Sequence, residues 1–137
     1  MLDDRTKYHL IVKFLSKYEI ESEINLNLLW SRINLRALNR FDHHFDKNTY
    51  FSPFTKKVSN EEKIQLRLRP DQREFGTISP VTTIIALTNS VITLYFNMSW
   101  KPHKRIGLLP GDLLFIDEDL WLNCEGTILS LYVVKYL

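Results

Sequence analysis

From Gly76 to the C-terminus the chain is a succession of short apolar runs, parted by turn residues about every eight to twelve positions. Val81–Leu87 and Val91–Phe96 flank the loop Thr88, Asn89, Ser90, and Lys104–Leu109 runs into Pro110 and Gly111. Leu113–Ile116 and Leu120–Asn123 are parted by Asp117, Glu118 and Asp119, and Gly126 opens Thr127–Tyr136. Runs of this length and spacing select a β-sandwich or barrel. The first two, with so short a loop between them, read as a hairpin.

These strands are apolar on both faces. Ile84, Ile92 and Leu94 oppose Ile85, Leu87, Val91 and Tyr95, and Leu129, Leu131 and Val133 oppose Tyr132, Val134 and Tyr136. A sheet with one solvated face alternates cleanly, so the second face here needs a cover. The N-terminal segment supplies the first candidate, and a partner subunit is the next. Tyr8, Ile11, Val12, Leu15 and Tyr18 recur at helical spacing, predicting a helix over Asp4–Tyr18 capped by Asp3 or Asp4. Leu26, Leu29, Trp30, Ile33, Ala37, Leu38 and Phe41 predict a second over roughly 26–41, with a strand as the alternative from the alternation of Ile24, Leu26 and Leu28. In either reading Arg32 and Arg36 share an exposed side. Asp42–Asn60 reads as an aromatic-rich loop with one short strand near Tyr50. Lys63–Arg69 alternates, with Ile64, Leu66 and Leu68 on one face and Lys63, Gln65, Arg67 and Arg69 on the other.

The expected architecture is therefore mainly β: a single-domain, jelly-roll-like sandwich or barrel with one or two N-terminal helices packed on it. Residues 1–41 form the helical cover and 42–137 the β core. A length of 137 residues suits one domain, and 45% hydrophobic with 25% charged residues excludes wholesale disorder. The net charge of +2 steers the whole molecule to no particular partner. No apolar run approaches a membrane span, the N-terminus lacks the order of a signal peptide, and Cys124 is the only cysteine. A cytoplasmic, reducing location is the expectation. Only two Ala and four Gly occur, a bias that fits an AT-rich coding genome such as those of viruses and mobile elements.

The densest polar cluster is Asp42, His43, His44, Phe45, Asp46. On an extended strand His44 and Asp46 point the same way, so an imidazole and a carboxylate would share one metal face. A second histidine would have to be His103. Cys124 has no motif around it, and Glu125 beside it would raise its pKa. No serine sits in a nucleophile elbow, and no Gly-rich phosphate loop is present.

The segments Ser79–Leu87 and Ser90–Phe96, then Leu109-Pro110-Gly111-Asp112 with its apolar strand, then Gly126–Leu131, resemble the double-stranded β-helix of cupins and of iron/2-oxoglutarate oxygenases, most closely the AlkB-like dealkylases. The resemblance covers roughly residues 42–137. It implies a metal site at His44 and Asp46 holding Fe(II), with 2-oxoglutarate as cosubstrate. Such enzymes carry their second metal histidine after the Gly-Asp strand, where this chain has Leu120, Trp121, Leu122 and Asn123. They grip the cosubstrate with an arginine on the final strand, and Thr127–Leu131 has none. The resemblance thus points to a scaffold without complete catalytic equipment.

Charge is polarised along the chain. Between Lys56 and Arg105 there are nine Lys and Arg against four acids, and from Gly111 onward one Lys against five acids. Lys63, Arg67 and Arg69 form a basic ladder, and Trp100, Lys101, His103, Lys104 and Arg105 a basic-aromatic loop. Together they would track a phosphate backbone, with Trp100 stacking on a base. Alternatively the basic region of one copy meets the acidic end of another. Three functions follow in order: a non-catalytic interaction or assembly protein with a protein partner or a second copy and no cofactor; a nucleic-acid-binding module; and an oxygenase with an atypical site at His44, Asp46 and His103.

Overall fold

The computed structural model describes residues 8–37, 48–52, 56–60, 63–67, 69–79, 81–96, 101–117 and 120–137. In chain order they form β1 (Tyr8–Ile11), α1 (Lys17–Glu21), α2 (Leu26–Ala37), β2 (Thr49–Phe51), β3 (Lys56–Val58) and β4 (Lys63–Gln65). A short 3-10 turn at Pro70–Gln72 precedes β5 (Thr77–Ile78), β6 (Thr82–Ala86), β7 (Ser90–Phe96), β8 (Pro102–Leu108), β9 (Leu113–Ile116), β10 (Leu120–Glu125) and β11 (Ile128–Tyr136). One sheet has the order β1-β9-β6-β11-β2, with β3 and β5 also paired to β11, and the second has the order β4-β10-β7-β8. All pairs are antiparallel.

The wiring is that of a jelly roll. The β10–β11 ribbon pairs with β3–β4 on one side and with β6–β7 on the other, while β8 and β9 pair with β7 and β6. Leaving aside the added strands β1, β2 and β5, successive strands therefore alternate between layers, except for the β7–β8 hairpin. Between the layers lies an aliphatic core that includes Ile64, Leu66, Ile84, Ile92, Leu94, Leu114, Leu120, Leu122 and Cys124. A second core fills the outer face of the larger sheet, where Phe14, Leu15, Leu29 and Ile33 pack on Val81, Ile85, Leu113, Phe115, Leu131 and Val133. This explains why all five residues of β6 are buried. The strand is sandwiched between strands on one face and helices on the other.

The expected helical cover is present, in altered form. Tyr8–Ile11 is a strand rather than part of a helix over Asp4–Tyr18, and residues 4–7 lie outside the described ones. The same apolar residues satisfy either period. The backbone edge of β9 decides between them, because pairing with β1 supplies hydrogen bonds that a helix there would leave unmade. Lys13, at φ 56°, then turns the chain, and Ser16 caps α1 by accepting from Glu19 N–H at 3.2 Å while Glu19 reaches back to Ser16 N–H at 3.1 Å. The second helix is as expected over 26–37, opened by Asn25 Oδ1 accepting from Leu28 N–H at 3.1 Å; residues 38–41 lie outside the described ones. Arg32 does not stand free on an exposed side. Its guanidinium bonds the Glu19 carboxylate and the Phe14 carbonyl and lies 4.7 Å from the Phe14 ring centroid. Arg32 therefore ties α2 to α1.

The expected β6–β7 hairpin is also corrected, since the two strands belong to different sheets. Leu87 N–H and Thr88 N–H both donate to Thr127 O, and Thr88 Oγ1 accepts from Thr127 N–H. Those bonds tie the connection to the β10–β11 turn instead of closing it on itself. Two short strands, β3 and β5, add to the one expected near Tyr50. No helix among the described residues is long and apolar enough to cross a membrane.

Candidate nucleic-acid interface

The smaller sheet presents its other face outward, and alternation decides what stands there. Ile64, Leu94, Leu120, Leu122 and Cys124 turn inward, which sends Lys63, Gln65, Tyr95, Trp121 and Asn123 outward. The register aligns them in rows. Gln65, Trp121 and Tyr95 stand side by side across β4, β10 and β7, and Lys63, Asn123, Thr93 and Arg105 form the next row across all four strands. Trp121 and Tyr95 are direct cross-strand partners and partly exposed. Lys63 reaches across β10, its Nζ lying 4.4 Å from the Tyr95 ring centroid.

At the β4 edge this face deepens into a cavity of about 290 Å³. Lys56 of β3, Lys63, Arg67 and Arg69 supply four cations to its wall, Trp121 and Tyr132 two rings, and Gln65 and Gln72 two amides. Among the described residues none that lines it is acidic. The wall is well ordered for local reasons. Leu66 is fully buried and its N–H donates to Leu120 O at 2.9 Å, so the chain bends just after β4 and swings Arg67 and Arg69 to the rim. Tyr132 Oη donates to Gln65 O at 3.0 Å, fixing the floor. Behind the wall Arg67 Nη2 meets Asp117 Oδ1 at 3.1 Å, and Arg69 Nε lies 3.5 Å from Asp71 Oδ1 in a pair that is mostly solvent-exposed. Such an exposed pair contributes little and yields readily to a competing anion.

Three of the ladder cations expected from sequence, Lys63, Arg67 and Arg69, thus meet in one place. The remaining candidates divide. Arg105 stands in the same row as Lys63 at the far edge of the sheet, about 14 Å away by strand spacing. Lys104 has the opposite parity, with its Nζ 4.7 Å from the Tyr8 ring centroid. Lys101 is exposed just before β8, and Trp100 lies outside the described residues. Loop and ladder therefore form no single cluster. Lys56, Trp121 and Tyr132 were not legible as members of the site. Trp121 alone carried a signal, since it alternates with apolar Leu120 and Leu122, but the register that brings it beside Gln65 is tertiary.

The metal ligands implied by the oxygenase resemblance are mostly not among the described residues. His43, His44 and Asp46 lie outside them. His103 is on the opposite edge of the sandwich, its Nε2 2.9 Å from Tyr8 Oη and its ring centroid 4.1 Å from that of Phe96. The inter-sheet space where the resemblance would seat an ion holds the aliphatic core together with the buried side chains of Cys124, Thr82 and Ser130. Asp112 is the one buried carboxylate among the described residues, and its oxygens accept from Lys13 and Leu109 N–H groups in the Pro110-Gly111 turn. Among the described residues no three His, Cys, Asp or Glu come together as a metal would need. Cys124 is fully buried; burial, and then the Glu125 charge, push its thiol up and away from the nucleophilic thiolate.

Comparison of the chain with models of known protein families, with curated proteins and with solved structures returns no match.

Proposed function

We propose that the protein is a binding module for nucleic acid, which it holds by the phosphates at the β4-edge cavity. One observation carries this reading: four cations and two aromatic rings share one wall of a single cavity. Cations in that setting neutralise successive phosphates, and the release of condensed counterions supplies most of the affinity. Amides and rings beside them suit sugar and base contacts. The cover that the two-faced strands call for is supplied inside the chain by the β1–α1 connection and α2 on the larger sheet. That moves nucleic acid ahead of a protein partner.

Fluorescence anisotropy with a labelled oligonucleotide, titrated at several salt concentrations, tests the proposal. Four phosphate contacts on a single strand give a slope of about −3 in log K against log salt. Lys63→Glu with Arg69→Glu is expected to weaken binding at low salt by at least about a hundredfold and to flatten that slope. Binding indifferent to salt, or unchanged in the double variant, would overturn the proposal.

Self-association is the second reading, favoured by a different observation. Phe75 is completely exposed, and Ile78, Tyr136 and Leu137 beside it are exposed too, brought together by the β5–β11 pairing and the bond from Leu137 N–H to Gly76 O. A mass measured by light scattering that falls from dimer to monomer on Phe75→Ser would support it; a monomeric wild type would remove it.

A further inference from the structure

Resting on the nucleic-acid reading above, we infer that the ligand is single-stranded and runs from the β4-edge cavity across the outer face of the smaller sheet toward Arg105, its bases stacking on Trp121 and Tyr95. The register places those two rings side by side at the centre of the face, with Lys63 on the β4 edge and Arg105 on the β8 edge. The Lys63 ammonium itself lies over the Tyr95 ring, so cations stand at the β4-edge cavity, over the centre of the face and at Arg105, across about three strand spacings, roughly 14 Å. Stacking needs an open base face, which a paired duplex hides inside its stack. A duplex reader must instead insert a helix or a two-stranded ribbon into a groove. The described face is a broad sheet surface with rings in its middle, the geometry of a single-strand platform. Thr93 and Asn123, in the row between the two cations, add hydrogen-bonding groups of either polarity beside the rings. Glu125 also stands outward on this face, 3.9 Å from Arg105 Nη2 in an exposed pair. It weakens the far end of the track, so Glu125→Gln is expected to tighten binding severalfold.

Anisotropy titrations with a twelve-nucleotide single strand, as DNA and as RNA, and with the DNA duplex of the same length test the inference. Either single strand is expected to bind at least about tenfold tighter than the duplex. Trp121→Ala is expected to lose about tenfold or more, and Trp121→Phe, which keeps a stacking ring and the fold, to retain most of the affinity. A duplex bound as tightly as the single strands, or full affinity in folded Trp121→Ala, overturns the single-strand path while leaving cavity binding intact. Absence of binding by all three ligands overturns both readings together.

Discussion

Gly111 shows how much a single position decides. It sits at φ 89°, and a Cβ there would lie 2.2 Å from the Leu15 carbonyl oxygen. Its own N–H donates to Ala86 O at 2.8 Å and its carbonyl accepts from Leu15 N–H at 3.0 Å. The Pro110-Gly111-Asp112 turn thus clamps the β1–α1 connection onto the larger sheet. Asp112 completes the clamp with its two backbone bonds. Gly111→Ala is expected to destabilise by about 2–4 kcal/mol, combining the left-handed strain with the clash. In a thermal melt this is a fall of about 10 °C; an unchanged midpoint would mean that the turn does not hold the helical cover. The turn was legible as a turn. Its docking partner, Leu15, was not, because nothing local links residues so far apart in sequence.

At the scale of elements, burial on both faces was the strongest signal, and it led to the right architecture. The apolar parity of Ile84 and Ile85 required two covers, and the strands of the second sheet and the helices supply them. Pairing was less legible. The Thr88-Asn89-Ser90 loop has hairpin chemistry, yet its bonds go to Thr127 and it spans the layers. β1 was read as helix because Tyr8 and Ile11 fit either period, and only the edge of β9 distinguishes them. α1, in contrast, depends on local chemistry. The Ser16 backbone N–H bonded to Glu19, with help from the Ser16 hydroxyl and Arg32, holds the Glu19 carboxyl below its ordinary range. A carboxyl lowered in the folded state adds stability above its unfolded pKa, and that contribution disappears as the pH falls through the folded value. Glu19→Gln, which removes the charge and keeps the hydroxyl cap, is therefore expected to cost about 0.5 kcal/mol at neutral pH and progressively less in acid. Urea denaturation of both proteins at neutral and acid pH checks this, and an equal cost at both would detach the effect from the Glu19 charge.

Across the whole molecule the two edges of the sandwich have opposite characters. At the β1–β8 edge His103 and Lys104 are engaged with Tyr8 and Phe96. At the β3–β4 edge Lys56, Lys63, Arg67 and Arg69 converge beside Trp121 and Tyr132. The basic segment was visible in the chain, but its division between the edges follows from strand order, which no local pattern encodes. An amide ¹⁵N–¹H titration of the labelled protein with an oligonucleotide separates the two edges directly. The expected perturbations concentrate on Lys56, on Lys63 to Arg69, and on Trp121 and Tyr132. Shifts confined to Tyr8, His103 and Lys104, or spread over α1 and α2, would contradict the assignment of the interface.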